Sequence, residues 1–182
     1  MIELNKIHAE DCLSTMKRME RGEVDLIVTS PPFNAKKDYG KTSNDDRKDY
    51  DEWIVEVCAE CERVASTAVY MFISQRKMLV VKDALKGFQQ WLFWHRPNLV
   101  SAGGKIAFPW IPTVTPIAMS WTNGRKPMLN EVWGVRTFDL IVATSPQSNF
   151  HGDLERFHVA QDPLKAYWPL IARTPGPIVY DP

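Results

Sequence analysis

The sequence is poor in the features that mark several common classes of protein. It contains 3 cysteines in 182 residues, which is too few for a disulfide framework and is typical of a reducing compartment. No apolar run approaches the roughly 18 residues of a membrane span, and the N-terminus lacks the apolar core of a signal peptide. These absences predict a cytoplasmic protein that is not associated with a membrane.

The chain also lacks net charge, because 22 Lys and Arg residues balance 22 Asp and Glu residues. This balance argues against a protein that holds nucleic acid by bulk charge. Cationic residues do cluster locally, at Lys36, Lys37 and Lys41 and again at Arg125 and Lys126. Each cluster is either a set of DNA contacts or an ordinary solvated loop, and the sequence leaves both interpretations open.

Short apolar runs alternate with amphipathic segments, as in a mostly parallel sheet covered by helices. We therefore predict one domain with an α/β, Rossmann-like, doubly wound fold. The predicted strands are 5–9, 24–29, 68–73, 90–95, 113–121, 138–143 and 178–180. The predicted helices are 12–21, a segment from Asp51 to Ala65, 76–86 and 164–172.

Three details accompany these predictions. Asp51 is a plausible N-cap for the second helix, and Pro169 should kink or end the last one. Residues 98–134 are punctuated by Pro, Gly and Trp, which indicates a small β-rich insertion.

The most informative segment is 25–34, where an apolar strand runs directly into Ser30-Pro31-Pro32-Phe33. Open α/β sheets bind ligands at the carboxyl ends of their strands. Two prolines at such a place fix two φ angles and remove two N–H donors, so the local carbonyl groups form a rigid set of acceptors.

Rigid acceptors suit a planar amine, such as the amino group of a nucleobase. That amine is a poor nucleophile because its lone pair is delocalised into the ring, and acceptors that hold its hydrogens can assist its attack on a methyl group. The Ser30 side chain and the Pro31 carbonyl could hold the amine, and Phe33 could stack on a flipped base. The competing interpretation is a strand that ends in a proline-stiffened turn.

Segment 25–34 resembles the catalytic motif of the amino-group DNA methyltransferases, in which Asp, Asn or Ser precedes Pro-Pro and an aromatic residue. The order of segments is that of the family's beta-type permutation. The resemblance implies transfer of a methyl group from S-adenosylmethionine to cytosine N4 or adenine N6 in double-stranded DNA, without a metal. It also implies that 98–134 holds the target-recognition region, with Arg125 and Lys126 as possible DNA contacts.

Two further segments resemble the family's cofactor elements. Residues 158–163 resemble its His-Pro-x-Gln-Lys-Pro segment, which implies cofactor-side roles for His158, Gln161 and Pro163. Val159 and Asp162 depart from that pattern, standing where proline and lysine are usual. A proline at a helix start is the alternative interpretation of Pro163.

Residues 178–182 resemble the strand that enters the family's glycine-rich loop, which implies a cofactor contact by Asp181. The glycines themselves are absent, so we expect an incomplete cofactor site that a second copy or a partner chain could complete. Asp11 resembles the acid that contacts the cofactor adenine, and a helix N-cap is an equally good interpretation of that residue.

Other signals have simpler explanations or support rival functions. Cys58 and Cys61 lack two further zinc ligands at suitable spacing and are interpreted as core thiols. The first rival function is a DNA-binding remnant that cannot methylate, and the second is methylation of RNA or of a protein amide.

Overall fold

The computed structural model describes residues 3–36, 45–98, 112–122, 124, 129–131, 138–145 and 162–182. The helices in these ranges are α1 (Cys12–Arg18), α2 (Tyr50–Val64), α3 (Met78–Ala84, after a 3₁₀ turn at Gln75–Lys77) and α4 (Leu164–Arg173). The strands are β1 (Val24–Thr29), β2 (Ala65–Phe72), β3 (Phe88–His95), β4 (Val114–Trp121), β5 (Leu140–Val142) and β6 (Val179–Tyr180). None of the described helices is both long enough and apolar enough to cross a membrane.

The strands form one sheet in the order β5-β3-β4-β2-β1-β6. Strand β4 runs antiparallel to its neighbours β2 and β3. The remaining pairs, β1 with β2, β1 with β6 and β3 with β5, are parallel. The predicted mostly parallel α/β fold is therefore confirmed.

Apolar side chains cover both faces of the sheet, as expected for a doubly wound fold. Ile27 of β1 packs in a core with residues of α1, α2 and α3 on one face. Leu26 and Val28 point to the other face, where Ala166 and Leu170 of α4 cover the sheet. Because successive strand residues alternate in direction, β1 is apolar on both sides.

Helix α2 carries the predicted apolar stripe, with Ile54, Cys58 and Cys61 fully buried. The thiols lie near methionine sulfurs of the core, so their interpretation as core residues is confirmed. The predicted N-cap is wrong by two residues. Asp49 occupies that position without a side-chain hydrogen bond to the helix N-terminus, and Asp51 lies in the first turn, where its charge favours the helix dipole.

Two other local predictions are wrong. Residues 5–9 do not form a strand, and Asn5 has φ 58°, which breaks an extended segment. A helix end at Pro169 is wrong too, because α4 continues through it to Arg173, with Ala166 and Leu170 on either side both held against the sheet. A kink at Pro169 stays a prediction.

The predicted β-rich insertion also needs correction. Residues 113–121 do form a strand, but that strand is β4, an interior member of the sheet. It is buried along most of its length, so this part of 98–134 belongs to the main core. An antiparallel strand can follow β3 without a helical crossover. The segment between β3 and β4 therefore lacks the helix expected in an α/β fold, and its Pro and Gly residues made it look like an insertion.

An acidic side chain adds to the backbone pairing that joins the start of β6 to β1. The Asp25 carboxylate accepts hydrogen bonds from the Ile178 N–H at 2.9 Å and from the Ser66 hydroxyl at 3.3 Å. Gly176 has φ 111°, and a Cβ there would lie 2.2 Å from the Asp25 Cβ, so the approach requires glycine. This anchor places the end of β6 beside the end of β1.

Candidate active site at the carboxyl edge of the sheet

The ends of the parallel strands bring the predicted site residues to one edge of the sheet. Ser30 follows β1 directly and Asp181 follows its neighbour β6. Helix α2 covers one face beside these strands and α4 covers the other. The crevice outside the carboxyl ends of such strands is the usual ligand site of a doubly wound sheet.

The two prolines of the motif lie in different surroundings. Pro31 is buried, whereas Pro32 is exposed. The Pro32 carbonyl accepts a hydrogen bond of 2.6 Å from the Tyr50 hydroxyl at the start of α2. Burial raises the pKa of Tyr50, so this donor keeps its proton across the ordinary pH range.

Asn34, directly after the motif, closes the loop that follows it. It has φ 54°, a left-handed conformation that asparagine tolerates better than most residues. Its side chain accepts from the Arg47 N–H at 2.7 Å and donates to the Arg47 carbonyl at 3.0 Å. Sequence reasoning gave Asn34 no separate role, although an asparagine after Pro-Pro-aromatic is itself a turn signal.

Asp45 adds a second closure beside Asn34. Its carboxylate accepts from the Ala35 N–H at 3.1 Å, and its backbone carbonyl accepts from the Lys36 N–H at 3.0 Å. Asp45 is fully buried, so these bonds form in a protected environment. The chain on both sides of Phe33 is thus tied to residues 45–50.

A second group of polar residues meets Ser30 from α4. The Tyr167 hydroxyl donates to the Asp162 carboxylate at 3.0 Å, and the Tyr167 ring stacks on Phe72 at 4.6 Å. Burial and then Asp162 raise the pKa of Tyr167, while the neighbouring Ser30 hydroxyl lowers it. Sequence reasoning missed Tyr167 because nothing in the local pattern distinguishes it from a packing aromatic.

Two carboxylates give this edge a negative potential. Burial raises the pKa of Asp181, the hydrogen bond from Thr29 opposes that change, and the charge of Asp162 adds to it. The side chain still has an open side toward solvent. A cation bound between these carboxylates would relieve their repulsion, so the donor set suits a positively charged ligand.

Arg96 borders the same region from the end of β3. Its guanidinium donates to the Pro112 carbonyl at 2.8 Å and lies 5.5 Å from the centre of the Trp94 ring. Burial lowers the pKa of Arg96, and Asp162 opposes that change. Neither Arg96 nor Tyr167 was among the predicted site residues.

Asp11 performs the helix role that the sequence offered as one alternative. Its carboxylate accepts from the Ser14 N–H at 3.0 Å and caps α1. The side chain is exposed, so the N-cap interpretation is confirmed and the cofactor contact stays a prediction. Pro163 is buried and immediately precedes α4, as its helix-start interpretation requires.

The remaining predicted contacts are only partly covered by the structure. Lys36 is exposed and pairs with Asp46 at 3.6 Å. The other cationic and cofactor-side predictions lie outside the described residues, namely Lys37, Lys41, Arg125, Lys126, His158 and Gln161.

Comparison with known proteins decides the family. The N6/N4 DNA methylase family model matches residues 24–169, which is most of the chain. This chain belongs to that DNA methylase family. The predicted resemblance is therefore confirmed, and the Ser30–Phe33 motif lies inside the matched range.

Solved structures of DNA methyltransferases have the same fold. The cytosine-N4-specific PvuII DNA methyltransferase is 16% identical with a TM-score of 0.69, over 94% of this chain and 71% of that one. M1.HpyAVI in complex with SAM is 19% identical with a TM-score of 0.58, over 93% of this chain and 76% of that one. At these low identities, the comparison shows only that this DNA methylase family member shares their fold.

Curated relatives match shorter segments. The type II methyltransferase M.HpaI of Haemophilus parainfluenzae is 27% identical over 100 residues, which are 50% of this chain and 31% of that protein. M.BglII of Bacillus subtilis is 35% identical over 71 residues, 38% of this chain and 19% of that protein. The chain thus spans a third or less of the length of these relatives.

Proposed function

We propose that this DNA methylase family member transfers a methyl group from S-adenosylmethionine to the exocyclic amine of a cytosine or adenine in duplex DNA. One observation carries the proposal. The Ser30-Pro31-Pro32-Phe33 segment directly follows β1, and Asp181 directly follows the neighbouring parallel strand β6, so both lie at the carboxyl edge of the sheet.

Different residues of the motif contact different parts of the base. Ser30 and the Pro31 carbonyl accept the hydrogens of the amine, so its lone pair is directed away from the ring plane. The Pro32 carbonyl accepts a hydrogen bond from Tyr50 at the start of α2. Phe33 stacks on the flipped base and holds it at the edge of the sheet.

The acidic end of the crevice suits the proposed cofactor. When bound, S-adenosylmethionine supplies a methyl group on a positively charged sulfur. Asp162 and Asp181 favour a cation there, because burial first and then the charge of Asp162 raise the pKa of Asp181, and a cation would offset both effects. Ser30 and the Pro31 carbonyl would hold the amine for attack on that methyl group, which would leave the sulfur, and the amine would then lose one proton to water.

Roles predicted for the other residues extend this proposal. The cofactor pocket would be lined by Asp11, His158, Gln161, Pro163 and Asp181. Of these, Gln161 and Pro163 would lie just before α4. The DNA backbone would be contacted by the cationic residues Lys36, Lys37, Lys41, Arg125 and Lys126. Association with a second copy or a partner chain also stays a prediction.

The test is transfer of radiolabelled methyl groups from S-adenosylmethionine to duplex DNA, followed by nucleoside analysis. Ser30→Ala and Phe33→Ala should each lower turnover by about 100-fold or more, because positioning of the reacting groups is lost. Ser14→Ala, an exposed serine on α1, is the matched control and should retain wild-type turnover.

Three outcomes separate this function from its rivals. Near-normal turnover in both motif variants would refute the assignment of the site. Salt-sensitive DNA binding without methyl transfer or cofactor binding would favour the DNA-binding remnant. Preference for RNA or a peptide amide in direct competition would favour the other rival function.

A further inference from the structure

The aromatic residue proposed to stack on the base is itself held in place by the start of α2. Pro32 precedes Phe33, and its φ angle is fixed by the pyrrolidine ring. The 2.6 Å bond from the Tyr50 hydroxyl fixes the direction of the Pro32 carbonyl. Because the peptide that follows is planar, this bond also fixes where the Phe33 Cα lies.

Tyr50 is well suited to provide a fixed reference point. Its side chain is 1% exposed and packs against the Trp53 ring at 5.5 Å between centroids. The Lys77 ammonium lies 5.1 Å from the centre of the Tyr50 ring on another side. A hydroxyl on such a confined ring cannot follow the Pro32 carbonyl if the carbonyl moves.

The other side of Phe33 is held independently. The Asn34 side chain makes two hydrogen bonds to the backbone of Arg47. The Arg47 guanidinium in turn binds the Asp49 carboxylate and lies 5.1 Å from the centre of the Trp53 ring. Phe33 is therefore the one residue between two restrained neighbours, both tied to the segment that begins α2.

We propose that Tyr50 is a positioning residue that acts through Phe33, with Asn34 restraining the opposite side. This inference rests on the proposed function, since it assigns the residue that orients the base-stacking ring. The same bond orients the Pro32 carbonyl toward the start of α2. The restraint exists before DNA binds, so the ordering of Phe33 is not a cost of base binding.

The first test is Tyr50→Phe, which removes the hydroxyl and keeps the buried ring. Turnover at saturating S-adenosylmethionine should fall about tenfold, the factor that one ordinary hydrogen bond contributes. Tyr70→Phe is the matched control, because that buried hydroxyl contacts only the Thr174 hydroxyl, at 3.3 Å, among the described hydrogen bonds. Its turnover should remain within about twofold of wild type, the range of an ordinary substitution away from the site.

A double-mutant cycle shows whether Tyr50 acts through Phe33. Tyr50→Phe should have almost no further effect on turnover in a Phe33→Ala background, because the ring to be positioned is gone. If the two losses multiply instead, Tyr50 acts on turnover by another route and the inference is overturned. Asn34→Gly keeps the left-handed backbone conformation, removes the side-chain clamp and should lower turnover in the same direction.

Hydrogen exchange tests the restraint without any need for methyl transfer. Exchange of the backbone amides at residues 33–36 should be faster in Tyr50→Phe and Asn34→Gly than in wild type and Tyr70→Phe. Unchanged exchange in both variants would overturn the inference even if turnover fell. A wild-type chain that fails to methylate any DNA would refute the proposed function, while the exchange data would still decide the role of Tyr50.

Discussion

The anchor between Asp25 and the start of β6 should be a large single contribution to stability and to the geometry of the site. Asp25→Ala removes the acceptor of the Ile178 N–H and of the Ser66 hydroxyl. The bond from a backbone N–H to a carboxylate contributes about 1.5–3 kcal/mol and the weaker serine bond about 0.5–1.5 kcal/mol. We therefore expect the free energy of unfolding to fall by about 2–4.5 kcal/mol.

The assay is urea unfolding followed by circular dichroism, with the transition midpoint compared at constant slope. Asp83→Ala is the matched control, since Asp83 is exposed on α3 and its loss should change the free energy by no more than about 0.5 kcal/mol. A midpoint for Asp25→Ala equal to that of the control would refute the anchor. The same variant should also weaken S-adenosylmethionine binding, because β6 carries Asp181 to the crevice.

Two further predictions concern the polar residues around Ser30. Tyr167→Phe keeps the stack on Phe72 and removes the hydrogen bond to Asp162. Turnover should therefore fall roughly fivefold. A turnover equal to that of Tyr70→Phe would exclude a role for the Tyr167 hydroxyl. Asp181 has a raised pKa, so its contribution to stability is present below its unfolded pKa and is lost as pH rises through its folded pKa. Asp181→Asn should therefore unfold at a higher temperature than wild type near pH 7 and at the same temperature near pH 3. It should also bind S-adenosylmethionine more weakly. Equal melting temperatures at every pH would contradict the prediction.

Much of the fold could be predicted because its elements have local signatures. The run 24–29 is apolar at nearly every position and forms β1, buried on both faces. The stripe of Ile54, Cys58 and Cys61 repeats at helical spacing and forms the buried side of α2. The Pro-Pro motif could be placed at a strand end because two successive prolines remove two N–H donors from a strand's hydrogen-bond ladder.

The errors arise where local pattern and tertiary context disagree. Asn5 interrupts an otherwise strand-like segment through a single positive φ angle. Pro169 sits inside α4 because the apolar side chains around it pack against the sheet, which outweighs the loss of one helical hydrogen bond. Residues 113–121 carry no signal for their neighbours, so their interior position between β2 and β3 could not be read from their composition.

By itself the sequence determined most of the strands and helices, which residues are apolar, and that Ser30–Phe33 is a proline-stiffened segment after a buried strand. Periodicity and proline chemistry act over a few residues, so they can be read locally. Only the tertiary structure decided that Asp25 anchors Ile178, that Tyr167 reaches Ser30, and that Tyr50 engages Pro32. These contacts join residues far apart in the chain, and their geometry depends on strand order and on the packing of α2 and α4 on opposite faces of the sheet.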